Sequence, residues 1–416
     1  MDSFHLDSSS FHVHRDYATG TDGEASAQSG LITITYGYSR DHRPDLKQFI
    51  LDLMCSGDGD IPLYLRVADG NQVDSGMFGT LMADFHKQWQ IDALFVADAA
   101  LYTEDNLQMI VSLRWVSRVP ATLTAAKELL EKNTIDAFVP SKIPGYDITP
   151  CCNDYGGVRQ RWLVIESEAR KESDLKQLEK RLTKKYTQAQ SQLRKLCQQE
   201  FPCAEDAFNA AKLLESQLPF DQLANIEVIE YGQHRGRGRP RKDSQPTLIY
   251  HIQAEIVPKE TAITIATQQA GRFILATNVL DADKLRNEDV LREYKAQQST
   301  ERGFRFLKDP LFFTSTVFLN SRKIVAALAM VMGLCLLVYS LGQRALPQSL
   351  KRGSQTIQNQ LGKPTATPTL RWVFQCLMSI HLLTFASLKQ ISNLSEERCS
   401  ILQFFGAPCR KYYLLC

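Results

Sequence analysis

The sequence predicts an α/β protein. Three features predict it. Short apolar, strand-like runs alternate with helix-like segments through the first 118 residues. A highly charged stretch without Gly or Pro, 167–200, then breaks that rhythm. After it the chain returns to helix-like segments at about 287–308 and 322–342. Alternation of this kind is solved by helices layered on a sheet, and 416 residues suffice for a large core and more than one domain.

Taken in order, residues 4–14 read as a strand, and 31–38 alternate well enough to make a second. Residues 61–68 make a third, followed by the turn chemistry of Asp69-Gly70-Asn71. Asp74 or Ser75 caps a helix running to about Trp89. Ala93–Ala97 is a short apolar run suited to a buried strand, and it ends directly at Asp98. A helix from about Glu104 and a strand over 114–118 complete the first part, 1–118.

The region 119–285 reads as an insertion, helical and then β. A strand is expected over 159–166. The leucines 175, 178, 182, 193 and 196 then draw a sparse stripe along one long exposed helix, paired as a hairpin with 204–217. Strands follow over 226–231, 247–256 and 272–277. Residues 286–343 return to helices, with Pro310 as a stop after Lys308. In the last part, 344–416, a polar stretch with three prolines (345–369) reads as loop, and a final helix as 370–386.

Composition narrows the function classes. The hydrophobic and charged fractions, 44% and 23%, are those of an ordinary soluble protein. A formal charge of +2 leaves any nucleic-acid signal to local patches. Ten cysteines without a C-x-x-C pair imply neither a zinc site nor a disulfide framework, and point to a reducing, cytoplasmic setting. The first residues lack the basic start and apolar run of a signal peptide. Ile324–Tyr339 is almost wholly apolar but falls short of the roughly 20 residues of a membrane span. It is expected as a core helix, with no membrane partner.

The candidate chemistry lies in carboxylates. Asp7 within a strand and Asp98 at a strand's end stand where aspartate is uncommon. On neighbouring strands they would face each other across about 5 Å, a spacing that suits hard divalent ions. In the expected helix near residue 300, Tyr294, Gln297, Glu301 and Lys308 lie at offsets 0, 3, 7 and 14 and return to one face. That face would hold an acid, a cation and two hydrogen-bonding groups, an inventory for a metal ion beside a phosphate. His5, His12 and His14 cluster around Asp7 in sequence and are read as partly buried strand residues. Arg235, Arg237, Arg239, Arg241 and Lys242 form the densest cationic run, in a Gly/Pro-rich arm suited to DNA phosphates or a narrow minor groove.

Several segments together resemble a DDE-type insertion-sequence transposase of the IS four-like group, most closely its IS sixteen-thirty-four branch. They are His5-Leu6-Asp7-Ser8-Ser9-Ser10-Phe11-His12, Val96-Ala97-Asp98-Ala99-Ala100-Leu101-Tyr102, Arg114–Pro120 and Arg272–Asn278. The helix with Tyr294, Glu301 and Lys308, the run Phe304–Phe312, and the late segments Asn359–Thr365 and Thr369–Gln375 complete the likeness, which covers nearly the whole chain. The resemblance implies a ribonuclease H-like core with an insertion before the helix that carries the last acid. Asp7, Asp98 and Glu301 would be the three catalytic, metal-binding acids. They would hold two Mg²⁺ ions, with Mn²⁺ able to substitute. The substrate would be double-stranded DNA at element ends and target, cut and joined by a homodimer assembled on it. Tyr294 and Lys308 match the group's phosphate-contacting helix motif, whereas Gln297 stands where the group has Arg. The first acid lies six residues after Met1, so the DNA-binding region that relatives carry ahead of it is expected to be missing. The alternatives are a catalytically poor remnant that binds DNA, and a stand-alone nuclease.

Overall fold

The computed structural model describes residues 3–14, 32–39, 41–58, 60–132, 138–233, 247–311, 316–317, 321–385 and 388–413. The basic run 235–242 lies outside them. The chain divides into two compact units, one of Met1–Arg118, Asn153–Gln160 and Thr277–Cys416, the other of Val119–Cys152 and Arg161–Ala276.

The first unit opens on β1 (Ser3–Val13), β2 (Lys47–Ser56) and β3 (Pro62–Ala68), which pair antiparallel as consecutive neighbours. Helix α1 (Phe78–Trp89) leads to β4 (Leu94–Ala97), which lies parallel to β1. Helix α2 (Glu104–Met109) leads to β5 (Arg114–Arg118), parallel to β4. The order is therefore β3-β2-β1-β4-β5.

Two sequence expectations change here. The alternating segment 31–38 forms no strand among the described residues, only a bridge of Thr35 to Gln48. The true partner of β1 is β2, unannounced by alternation because nine of its ten residues are buried. A strand covered on both faces loses its period-2 pattern. The helix expected to be capped by Asp74 or Ser75 instead starts after a short 3-10 turn, Asp74–Gly76, with no side-chain cap.

The second unit holds α3 (Thr124–Lys132), β6 (Val139–Pro140) and most of β7 (Tyr146–Tyr155) and β8 (Val158–Ser167), whose adjoining ends, Asn153–Gln160, belong to the first. The long helix α4 (Glu168–Cys197) and α5 (Ala204–Ser216) follow, then β9 (Asp221–Gln233) and β10 (Thr247–Pro258). Ala189 and Leu193 of α4 meet Ala207, Ala211 and Leu214 of α5 over Leu223 and Ile252 of the β9–β10 hairpin. Ser167 caps α4 by accepting from the Arg170 amide. Helix α6 (Glu260–Gln269) and β11 (Arg272–Thr277) close the region.

Back in the first unit come α7 (Asn287–Ala296), α8 (Gln298–Leu307), β12 (Thr316–Val317) and α9 (Arg322–Arg352). The single helix expected over Tyr294–Lys308 is two, interrupted at Gln297. Backbone bonds tighten there, with the Gln297 amide on the Tyr294 carbonyl (3.2 Å) and the Thr300 amide on the Gln297 carbonyl (3.2 Å).

Helix α9 is longer than expected and less buried. Val325, Ala329, Met332 and Leu336 join Phe304, Phe306, Leu307 and the β1–β2 side chains in one core. Only that stripe is covered, for Met330, Val331, Leu334 and Val338 are exposed. Among the described residues it is one helix long and apolar enough to cross a membrane by length and composition. It also runs ten residues past the expected end at 342, through Pro347. Leu346 and Leu350 hold this extension against Leu370, Val373 and Ile401.

The tail is more structured than a loop and one helix. It contains β13 (Ile357–Gln358), β14 (Pro364–Thr365), α10 (Leu370–Leu377), a hairpin of β15 (His381–Phe385) with β16 (Leu388–Ser392), α11 (Glu396–Leu402) and α12 (Ala407–Tyr412). The last helix expected over 370–386 stops at Leu377.

Candidate active site

Strand alternation decides which side chains meet. On β1, Phe11 and Val13 enter the core shared with α8 and α9, together with Phe49, Leu51, Leu53 and Cys55 of β2. Phe4 turns the other way, edge-on to Phe85 of α1 and Phe95 of β4. With a period of two, Asp7 shares the face of Phe11 and Val13. The last rungs of the parallel β1–β4 pair are His5 on Val96 and Leu6 on Ala97. Asp7 is the next residue of β1, and Asp98 follows directly on the last residue of β4, neighbouring strands about 4.8 Å apart.

Each aspartate is oriented by a nearby amide. Ser8 N–H donates to Asp7 Oδ1 at 2.8 Å, and Ala100 N–H to Asp98 Oδ1 at 2.9 Å. Asp98 is thus the cap of a short 3-10 turn as well as a strand-end acid. Ser117 of β5 donates to the Asp98 carbonyl at 2.8 Å, fixing the strand's end. Both carboxylates are half-buried.

Helix α8 brings the third acid. Its buried positions, Ser299, Thr300, Gly303, Phe304, Phe306 and Leu307, form the docked face. Gly303 permits the approach, since a Cβ there would sit 2.7 Å from Leu53 Cδ2 and 3.4 Å from Leu336 Cδ2. Gln297 Nε2 donates to the Leu6 carbonyl at 3.5 Å, and Lys308 Nζ lies 5.3 Å from the centre of the Phe11 ring. Eleven helical residues at 1.5 Å and five strand residues at 3.3 Å both span about 16 Å, so α8 runs in step with β1. Glu301, four residues past Gln297, advances about 6 Å and comes level with Asp7 and Ser8. It lies on the helix stripe of Gln297 and Lys308, and its side chain is exposed.

The structure places Asp7, Asp98 and Glu301 in one unit, on β1, directly after β4 and on α8 respectively. It does not close them into a ligand set. Among the described residues no three His, Cys, Asp or Glu side chains stand close enough together to hold a metal ion. The donors that fit a hard divalent ion are the aspartate pair, because Mg²⁺ commonly takes one or two carboxylates and leaves other positions to water and phosphate.

The remaining candidates divide. Tyr294 is half-buried on α7, on the other side of the break at Gln297 from Glu301. Lys308 Nζ is 3.0 Å from Asp41 Oδ2. The three histidines do not gather, because β alternation puts His5 and His12 on opposite faces of β1 and His14 lies past its end. His5 is fully buried on the Asp7 face, 3.1 Å from Ser3 Oγ and 3.8 Å from Glu293 of α7. Burial, opposed by Asp60 and reinforced by Arg302, lowers its pKa to about 4. His12 contacts Ser39 at 2.9 Å, and His14 lies past the strand's end, exposed.

Two supports escaped sequence reading. Asp52 of β2, wholly buried, accepts from Ser8 Oγ at 2.7 Å and from Arg66 Nε at 2.9 Å, bracing the residue after Asp7. Arg302 forms a fork with Asp60 at 2.5 and 2.7 Å, tying α8 to the turn after β2. The only sequence signal for either was an acid inside an apolar run, Asp52 within Phe49–Met54.

No protein family and no curated protein matches the chain. Among solved structures it is similar to piggyBac transposase in a synaptic complex with hairpin DNA, at 8% identity and a TM-score of 0.39. The likeness covers 83% of this chain and 48% of that one, so the chain spans about half the neighbour's length. Similarity at this level decides nothing about the reaction.

Proposed function

We propose that the first unit carries a metal-dependent centre that cuts and joins DNA phosphodiesters, as in an insertion-sequence transposase built on a ribonuclease H-like core. What supports the reading is Asp7 on β1 and Asp98 directly after β4, two strands that pair in parallel as far as Leu6 and Ala97. An acid on the first strand, one directly after the fourth and one on a late helix is the placement that the resemblance implies.

In this reading Asp7 and Asp98 hold Mg²⁺, and Glu301 is the third acid, presented from α8. Two ions are expected, with Mn²⁺ able to substitute. Bound there, Mg²⁺ supplies Lewis-acid stabilisation of the phosphodiester and an activated water or DNA 3′-hydroxyl. The chain's own residues do the rest. Ser8 and Ala100 amides orient the two aspartates, and α8, docked through Gly303, Phe304 and Leu307, holds Glu301 over them. Lys308, Tyr294 and Gln297, with the run Arg235, Arg237, Arg239, Arg241 and Lys242, contact DNA phosphates. The partners are element-end and target DNA in the cytoplasm, engaged by a homodimer.

A second reading is a DNA-binding protein with poor chemistry, and the lack of a converged three-acid group among the described residues favours it. Incubating the purified chain with Mg²⁺ and plasmid carrying candidate element ends separates the two. Nicked or joined products that vanish with EDTA support the first. Retention of DNA with no product at any Mg²⁺ or Mn²⁺ concentration supports the second.

A further inference from the structure

The flank of α8 beside Glu301 borders a cavity of about 550 Å³, bounded also by α9 and the start of α10. That volume lies in the range of small-ligand sites. Three guanidiniums line it, from Arg302, Arg305 and Arg371. Two are committed. Arg302 is forked to Asp60, and Arg371 Nε lies 2.6 Å from Asp309 Oδ2 with Nη2 3.4 Å from Oδ1. Arg305 makes no hydrogen bond or ion pair with any described residue. Three arginines against two aspartates leave one positive charge, and it sits on Arg305.

The opposite lining is flat and apolar. The rings of Phe306 and Tyr339 lie 4.3 Å apart at 30°, with Leu336 beside them. Two of the polar side chains between, Gln343 and Thr369, are occupied, and Ser340 is a further hydroxyl in the lining. Gln343 donates to the Pro368 carbonyl at 3.1 Å and accepts from the Leu370 amide at 2.6 Å, and Thr369 caps α10 through the Trp372 amide. A bare phosphate would leave the aromatic wall unused. A purely apolar guest would leave Arg305 unmatched. An anion joined to a planar ring uses both.

We propose that this cavity binds a nucleoside monophosphate unit, its phosphate on the Arg305 fork and its base against Phe306 and Tyr339. Arginine presents a planar fork that fits phosphate oxygens. Because the Gln343 amide and the Thr369 hydroxyl are already bonded, the base is held chiefly by contact area. Glu301 and Arg305 are four residues apart, with Cβ atoms about 5–6 Å from each other. If the reading under Proposed function holds, on which this placement rests, the guest is a nucleotide flanking the phosphodiester to be cut. The same chemistry is offered by a free mononucleotide.

The test uses the full chain and dAMP, with deoxyadenosine and inorganic phosphate as partial ligands, read by calorimetry and by shift of the melting temperature. Saturable dAMP binding is expected, stronger than either partial ligand. It should weaken about tenfold or more in Arg305→Ala and less in Arg305→Lys, which keeps the charge but loses the fork. Arg305 is exposed, so these variants should melt as the wild type does without ligand. Competition by a duplex with a 5′-phosphorylated one-nucleotide overhang assigns the site to DNA, and no competition assigns it to free nucleotide. No dAMP binding, or equal binding by Arg305→Ala, overturns the proposal. Asp7→Asn separates it from the catalytic reading. That variant should lose cleavage and keep dAMP binding, so either idea can fail while the other stands.

Discussion

Gln297 donates its side-chain amide to the main-chain carbonyl of Leu6 at 3.5 Å, tying the start of α8 to the residue just before Asp7. With Lys308 over Phe11 at the far end, the helix is held along β1 at two points, and Glu301 lies between them. The relation of Asp7 to Glu301 is thus one between β1 and α8.

Glu301→Gln, Asp7→Asn and Asp98→Asn keep size and hydrogen bonding while removing charge. Each is expected to lower metal-dependent cleavage by about a hundredfold or more, as removal of a single electrostatic group does at other sites, with DNA affinity within a few-fold. Gel retardation beside a cleavage time course checks both. Wild-type cleavage in Glu301→Gln would remove that residue from the site.

Gly303→Ala addresses the docking of α8. The new methyl would sit 2.7 Å from Cδ2 of Leu53, itself fully buried. Overpacking of this kind costs about 1–3 kcal/mol. Denaturant melts should show that loss, and cleavage should fall because Glu301 moves with the helix. Unchanged stability would mean that α8 does not approach β2 as described.

Gln297→Arg supplies the charge present in the resembling group. DNA binding should tighten at low salt, and the slope of log affinity against log salt should steepen by about 0.9, one added phosphate contact on a duplex. Lys308→Ala should shift the slope the other way. A salt series on both variants decides whether α8 touches DNA.

Asp52 tests the support beneath Asp7. Its carboxylate is buried between Ser8 and Arg66, whose Nη2 lies 2.8 Å away. Asp52→Ala removes the carboxylate that both Ser8 and Arg66 use, leaving Arg66 only Gln72, at a cost of about 1–3 kcal/mol. Urea midpoints should fall accordingly, and Asp52→Asn should recover part of the loss.

Acid sensitivity follows from Asp309. Hydrogen bonds from Arg371, then from the Leu311 amide, hold its carboxyl below the usual carboxylate range. The folded state then binds fewer protons than the unfolded one. The contribution is fully present above about pH 4, the unfolded value, and is lost as pH falls below it. Arg371→Gln should flatten this part of the stability curve below about pH 4. An identical curve would show the pair to be inert.

The elements legible in sequence had an exposed face or clear ends. The charged helix α4 has the first, and β1, β4, β5 and β11 the second, although β1, β4 and β11 are as buried as β2. β2 was not legible because burial on both faces erased its alternation and Asp52 interrupts its apolar run. The break at Gln297 was invisible because its backbone stays in the helical region, φ −57° and ψ −16°, and only the hydrogen-bond spacing changes. The acids Asp7, Asp98 and Glu301 stood out as polar residues in strand-like or docked contexts. Their mutual placement needed the β1–β4 register. Asp41 opposite Lys308 and Asp60 opposite Arg302 are more than 240 residues apart in sequence from their partners, and no local pattern announces such pairs.

The most direct measurement is Mg²⁺-dependent cleavage of supercoiled plasmid carrying the element ends, for the wild-type chain and Asp98→Asn side by side. The account predicts nicked and joined products for the wild type, none for Asp98→Asn, and none for either with EDTA. Equal cleavage by the two proteins would contradict it, because the paired aspartates would then not be the seat of the chemistry.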